Sequence, residues 1–205
     1  MARIKFSKGE LKKQRDALKQ YERYLPTLQL KKQQLQLEIL RQSVILEEKK
    51  RSQEKARQAI FTWIGFLEDP LISIKPYLVV NKITTGMKNI AGVDIPVYEK
   101  TEFSPAEYDL FLAPLWVDAA IDSLRGYISL DAELSVINQG VILLKQELRI
   151  TTQRVNLFEK IKIPESKENI RLIKIYIGDQ LSNAVGRCKI AKRKIEDLVL
   201  EGAGV

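Results

Sequence analysis

The chain has 205 residues, with 45% hydrophobic and 29% charged positions, a composition that points to folded structure over disorder. It contains no histidine and one cysteine, Cys188. This excludes Ser-His-Asp and Cys-His catalysis, histidine-based zinc sites and any intramolecular disulfide. The net charge of +8 is unevenly placed: +9 over residues 1–58, −6 over 59–135 and +5 over 136–205, so two basic ends flank an acidic middle. That pattern suits nucleic-acid binding or a basic rod seated in an acidic cavity.

No unbroken apolar run reaches the roughly 18 residues that cross a bilayer. The start, Met1-Ala2-Arg3-Ile4-Lys5-Phe6, lacks the apolar block of a signal peptide. The expectation is a cytoplasmic protein without direct membrane insertion.

Ser7 and Glu10 form an S-x-x-E capping box, which opens a helix. Up to about Ile64, proline occurs once and glycine only at Gly9, in the first turn. Leu11, Leu18, Leu25, Lys32, Ile39 and Leu46 recur every seven residues, with Tyr21, Leu28 and Leu35 at companion positions. This is a heptad seam with polar breaks at Gln14, Lys32 and Gln42. A helix of about 55 residues is roughly 80 Å long and needs a partner for its stripe. Pro26 predicts a kink near Tyr21–Glu22, not a stop, because the periodicity continues beyond it. After it a second stripe appears, Leu30, Leu37 and Val44, which suggests neighbours on two sides.

The middle reads differently. Tyr77-Leu78-Val79-Val80 is β-prone. Gly86 and Ala91-Gly92 mark turns, and Val93, Ile95 and Val97 alternate with other residues. A β-hairpin over 77–98 follows, its second strand at an edge because of Pro96. A short helix over Ala106–Leu112 and another after Pro114 are expected next.

The last segment is helical from about Ala132 to Leu200, interrupted at Pro164. Its seam reads Ile170, Ile173, Ile177, Leu181, Ala184, Cys188, Ala191, Ile195 and Leu198. One extra step of four near Ile177 relaxes left-handed supercoiling locally. The small residues Ala184, Cys188 and Ala191 predict the closest approach of an antiparallel N-terminal helix. The predicted fold is mainly α: a long antiparallel two-helix coiled coil carrying a small middle insert. It divides into an N-terminal helix (1–66), a middle region (67–131) and a C-terminal helix (132–205) that form one structural unit.

Sites for chemistry are hard to find. Gly86 and Gly92 do not have the spacing of a phosphate loop, and Val93-Asp94 stand where Lys-Ser/Thr would be. The pairs Glu47-Glu48 and Glu68-Asp69 read as solvated surface, because nothing places them in a cleft. Cys188 lies between Arg187 and Lys189, yet its apolar seam makes it a small core residue first. The clusters Lys12-Lys13, Lys31-Lys32, Lys49-Lys50-Arg51 and Lys192-Arg193-Lys194 have few aromatic neighbours, unlike single-strand nucleic-acid platforms. No catalytic, cofactor-binding or metal-binding residue is assigned.

Two stretches carry a family resemblance. Asn89-Ile90-Ala91-Gly92-Val93-Asp94-Ile95-Pro96-Val97-Tyr98-Glu99 resembles the N-[VI]-A-G-V-x-[LI]-P-V-[FY]-E stretch of the D subunits of vacuolar/archaeal-type (V-type, A/V-type) rotary ATPases. Thr152-Gln153-Arg154-Val155-Asn156-Leu157-Phe158-Glu159, followed by Ile163-Pro164, resembles that family's T-x-R-R-V-N-A-L-E…I-P motif. Leu28-Gln29-Leu30-Lys31-Lys32-Gln33-Gln34-Leu35 is a looser match. Gln153, Leu157-Phe158 and Pro26 depart from the pattern. The family-motif positions are Asn89, Ala91, Gly92, Pro96, Arg154, Val155, Asn156 and Pro164.

The resemblance implies a non-catalytic central-stalk rotor. Its terminal helices would insert into the hexamer of catalytic and regulatory A and B subunits. Its middle would lie near the small F subunit of the stalk and the membrane-ring adaptor (C/d). It implies no cofactor and no nucleic acid. Lys12, Lys13, Arg15, Lys192 and Arg193 are the expected hexamer contacts, gathered in one basic tip running from Arg3 to Arg23 and from Arg187 to Lys194. An unrelated coiled-coil scaffold or nucleic-acid-binding rod accounts for the charge and the seams, but not for two motifs occurring together.

Overall fold

A computed structural model describes residues 5–65, 74–105, 114 and 116–202, with the side chains from 198 onward excepted. The expected helix over Ala106–Leu112 and the pair Glu68-Asp69 lie outside the described residues. The elements are α1 (Lys8–Phe61), a 3-10 turn (Lys75–Leu78), β1 (Val80–Ile90), β2 (Val93–Phe103), α2 (Trp116–Leu157), a π-helical turn (Phe158–Lys162) and α3 (Ile163–Gly202). The mainly helical fold with two long terminal helices and a small antiparallel hairpin agrees with the sequence reading. The chain divides into two compact units, one of residues 30–152 and one of residues 1–29 with 153–205.

In the first of these units, α1 and α2 run antiparallel and the hairpin packs on them. Lys31 Nζ meets Glu147 Oε1 at 2.7 Å, and Lys49 Nζ meets Glu133 Oε1 at 2.8 Å. Gln53 donates to Asp131 Oδ1 at 2.8 Å. These pairs pin the register along one edge. The core behind them is Leu35 and Leu144, both fully buried, with Ile95 of the hairpin. Ile39, Ile90, Ala91, Val93 and Leu148 surround that cluster. A second cluster, Ile74, Val117 and Ile121, sits at the hairpin's base with Tyr77, Leu78, Trp116 and Leu124 around it.

By length and composition, an 18-residue window within Trp116–Asp197 is apolar enough to span a membrane, at a mean hydropathy of 1.2. Helix α2 contains Leu144, which is fully buried in one cluster with Leu35 of α1 and Ile95 of the hairpin. A helix covered on two sides needs apolar residues on more than one stripe.

The hairpin differs from its expected bounds. It spans 80–103 instead of 77–98, because Pro76 starts a 3-10 turn ahead of the strand. Gly86 is not a turn: it lies within β1, opposite Val97. The reversal is the two-residue turn Ala91-Gly92, between the pair Ile90 and Val93. Both turn residues have positive φ, 51° and 78°, which matches the right-handed twist of the strands. Asn89 stabilises it, accepting from the Gly92 amide at 3.1 Å and donating to Asp94 Oδ1 at 2.6 Å.

The C-terminal helical segment begins at Trp116, not near Ala132. The helix expected after Pro114 is continuous with it, since no proline falls between Trp116 and Pro164. At Pro164 the helix is not broken. It widens for one turn, and the Ile163 amide reaches back five residues to the Phe158 carbonyl. Proline lacks the N–H that would serve the Lys160 carbonyl, and its ring crowds that oxygen, so the register shifts by one residue. Helix α1 passes through Pro26 without ending. Its start is as expected, with the Glu10 amide bonded to Ser7 Oγ at 3.2 Å.

Candidate functional site

In the unit of residues 1–29 and 153–205, the start of α1 packs on the start of α3. The rings of Tyr21 and Phe158 lie 5.2 Å apart, and those of Phe6 and Tyr176 lie 5.1 Å apart. Leu11, Leu18, Leu25 and Leu28 are half-buried along α1, while Ile170 and Ile173 are buried on α3. Phe6 precedes the first residue of α1 and already reaches Tyr176, so no turn of α1 lies opposite the rest of α3.

The seam nevertheless continues past Ile177, which is half-buried. Leu181 is 55% exposed and Ile195 62%, and Cys188 and Ala191 are exposed as well. Ala184 is intermediate, and the Leu198 side chain lies outside the described residues. The expectation that Ala184–Ala191 is the most closely packed stretch, with Leu181, Cys188 and Ile195 in an intrachain core, is therefore corrected. The heptad spacing is present, but among the described residues no antiparallel helix faces it. What stands there is a projecting helix with an uncovered apolar stripe, flanked by Arg187, Lys189, Lys192, Arg193 and Lys194, all exposed.

The five basic residues singled out as contacts are all exposed, but they do not form one tip. Lys12, Lys13 and Arg15 lie on the first turns of α1, just past the level of the Phe6–Tyr176 contact. Lys192 and Arg193 lie more than four turns beyond Tyr176, about 24 Å further along α3. The basic surface is two patches, one on the start of α1 and one far along α3. Arg3 lies outside the described residues.

The family-motif positions separate into two groups. Asn89, Ala91 and Gly92 make the hairpin turn, and Pro96 lies against α2 where Gly140 leaves room: a Cβ on Gly140 would stand 3.8 Å from Ile95 Cβ and 3.9 Å from the Pro96 carbonyl. Val155 is buried at 3%, and Pro164 shapes the π-turn. These residues build the fold. Arg154 and Asn156 are exposed and face outward.

Two features escaped the sequence reading. Arg125 of α2 clamps both ends of the hairpin, donating to the Tyr77 carbonyl at 2.8 and 3.0 Å and to the Ser104 carbonyl at 2.6 Å. It also lies 5.3 Å from the Phe103 ring centroid. A lone arginine in a helix gives no local signal of such a partner. Gly140 did give one, since an isolated glycine in a helical pattern marks a close approach. The second stripe on α1 remains open: Leu30, Leu37 and Val44 are 55%, 59% and 58% exposed, with Leu40 beside them at 63%.

The electrostatics are those of a solvated surface. The Glu168 carboxyl is held below its usual range by its hydrogen bonds to Arg171, at 2.7 and 2.9 Å. Glu102 is lowered in the same way by Lys100 at 2.6 Å. Among the described residues no group of three or more acidic or cysteine side chains is placed to hold a metal ion.

Among the described residues, the open stripes and basic patches are surfaces suited to binding. The family model for the D subunit of ATP synthase matches residues 10–193. The V-type ATP synthase D subunit of Borreliella burgdorferi is 44% identical over 195 residues, covering 95% of this chain and 96% of that one. Those of Chlamydia trachomatis and Chlamydia felis are 30% and 32% identical over 197 residues, covering 95% of this chain and 97% and 95% of theirs. These relatives are named as one component of the complex, not as its catalytic enzyme, and the chain belongs to the family of ATP synthase D subunits.

Proposed function

We propose that this chain is the central-stalk rotor of a V/A-type rotary ATPase. It couples ATP hydrolysis or synthesis in a hexamer of A and B subunits to ion translocation by turning inside that hexamer. The observation that carries this reading is the projecting part of α3. A helix with a regular apolar stripe, no partner of its own among the described residues and a basic flank is built to lie within other subunits. Asymmetry is needed as well, because each rotor angle must favour a different state in each surrounding site. A single projecting helix beside a shorter one meets that need, since it presents different side chains at every angle.

On this reading Lys12, Lys13 and Arg15 meet the hexamer at one height and Lys192 and Arg193 at another. The exposed motif residues Arg154 and Asn156 contact surrounding subunits. The open stripe Leu30–Leu37–Val44 and the hairpin's outer surface face the small F subunit of the stalk and the membrane-ring adaptor (C/d). The chain itself does not enter the membrane.

The test is reconstitution with charge reversal. Lys12→Glu/Lys13→Glu/Arg15→Glu and Lys192→Glu/Arg193→Glu are expected to lose co-purification with the hexamer, or to keep ATPase activity while losing ion pumping. Their thermal stability as isolated chains should stay near wild type, because every altered side chain is exposed. Unchanged assembly, ATPase rate and pumping in both variants would overturn the reading.

A further inference from the structure

Beyond Ile177, helix α3 carries two patterns on one side. Leu181, Val185 and Ile195 are 55%, 55% and 62% exposed, and Cys188 lies exposed among them. From Gln180 to Ile195 the chain has the cations Arg187, Lys189, Lys192, Arg193 and Lys194 and no anion. The helical repeat of about 100° per residue sorts these side chains around the axis. With Cys188 at the centre of the strip, Leu181 and Ile195 fall within about 20° of it and Val185 about 60° away. Arg187 and Lys194 stand about 100–120° to one side and Lys189 about 100° to the other, with Lys192 nearer the strip. Asp179 and Asp197 lie opposite, and of the large apolar side chains from 181 to 195 Ile190 alone lies behind with them. Glu196, the nearest acid, is tied to Lys192 at 3.6 Å. An apolar strip about 21 Å long is thus rimmed by cations on both sides and backed by carboxylates.

That order decides which surface fits. A second copy applied strip to strip would set one cationic rim against another. A nucleic acid would neutralise the cations but leave Leu181, Val185 and Ile195 in water, and residues 177–205 hold no aromatic ring to stack on a base. An anionic bilayer surface satisfies both patterns. The apolar strip sinks to the boundary of the acyl chains, and the lysine and arginine stems reach back to the phosphates. We propose that, before assembly, α3 from Leu181 to Ile195 lies flat on an anionic lipid surface without crossing it. This goes beyond the rotor reading, in which protein covers the same strip. One strip cannot serve both at once, so the lipid contact belongs to the unassembled chain and ends when the hexamer closes on α3.

Co-sedimentation of the full chain with vesicles tests this, using phosphatidylcholine alone and phosphatidylcholine with about one third phosphatidylglycerol. Binding is expected on the anionic vesicles only, and it should weaken strongly as salt rises towards about 1 M, where the screening length falls to ~3 Å. Arg187→Gln/Lys189→Gln/Lys194→Gln should weaken it about a hundredfold, near fivefold per cation. Leu181→Gln/Ile195→Gln should weaken it at least about tenfold with every cation kept. All five positions are exposed and glutamine is a good helix former, so the thermal stability of both variants should hold. Cys188 is the only cysteine, so an environment-sensitive fluorophore attached there reads the centre of the strip. Its emission should shift to the blue on anionic vesicles and not on neutral ones. No binding to anionic vesicles at low salt would overturn the proposal, as would equal binding to neutral ones. So would binding that survives Leu181→Gln/Ile195→Gln, the mark of a polyanion site of the kind a nucleic acid uses, or a Cys188 probe that stays in water, the mark of another face. A dimer in light scattering that the same double variant dissolves, without vesicle binding, would assign the strip to a second copy instead. Co-purification with the hexamer is read separately: failure of the wild type there sinks the rotor reading, and the vesicle result on the chain alone still decides the lipid face.

Discussion

Gly140 offers a sharp test of how the hairpin is held, because two small substitutions should act in opposite directions. It lies buried in α2, under Ile95 and Pro96 of β2. An added Cβ would stand 3.8 Å from Ile95 Cβ and 3.9 Å from the Pro96 carbonyl, ordinary van der Waals distances. Alanine therefore fits without displacement. It also removes the entropic penalty of glycine in a helix interior, so Gly140→Ala should stabilise by about 1 kcal/mol and raise Tm by about 2–4 °C. Valine extends a further ~1.5 Å from the same Cβ, into space that Ile95 fills. Overpacking of this kind costs about 1–3 kcal/mol. The helix should stay intact while the hairpin lifts, since Ile95 is buried in one cluster with Leu35 and Leu144. Thermal unfolding gives the sign of each change, and amide exchange over 93–103 shows where the strain goes. If alanine destabilised as much as valine, or if valine left the hairpin amides untouched, this account of the hairpin seat would be wrong.

Other outcomes follow from the same geometry. Gly92→Val should cost about 1–2 kcal/mol from backbone conformation alone, for φ is 78° and the nearest atom to an added Cβ is Lys31 Nζ at 4.0 Å; a thermal melt measures it, and a neutral result would contradict the turn geometry. Ending the chain after Gln180 should leave the Tm of the isolated protein almost unchanged, since the removed side chains through Asp197 are exposed or half-buried. The same truncation should abolish co-purification with the hexamer, so a large loss of stability would mean that the projecting helix has a partner within the chain. The Glu168–Arg171 pair lowers the carboxyl pKa. Its contribution is therefore present above the ordinary carboxylate pKa and fades as pH falls through the lowered one. Because both groups are exposed and screened, Glu168→Gln should leave the acid-unfolding midpoint of the isolated chain in place, and a clear shift would show a stronger pair than the geometry allows.

Local chemistry was legible in the sequence. The Ser7–Glu10 cap, the continuity of α1 past Pro26 and the Ala91-Gly92 reversal each depend on a few neighbouring residues, and each lies where the sequence reading put it. The two spaced motifs identified the family for the same reason, as both are short stretches read residue by residue. Gly86 was misread because glycine permits a turn without requiring one. The tight turn at Ala91-Gly92 already reverses the chain, which leaves Gly86 in the strand, with Glu99 reaching across where a side chain would go. Pro164 announced an interruption, but only the hydrogen bond from Ile163 to Phe158 shows that it is absorbed by a widened turn.

The seam from Ile170 to Ile195 marks the limit most plainly. Its spacing fixes which side chains share a face of α3, because that follows from the helical repeat alone. Whether that face is covered depends on where another helix begins. The Phe6–Tyr176 contact settles this for the folded chain: Ile170 and Ile173 are buried, and Leu181 and Ile195 are left open. Periodicity is a property of one helix and burial a property of two, so the sequence by itself drew the stripe and the tertiary structure decided how much of it this chain covers.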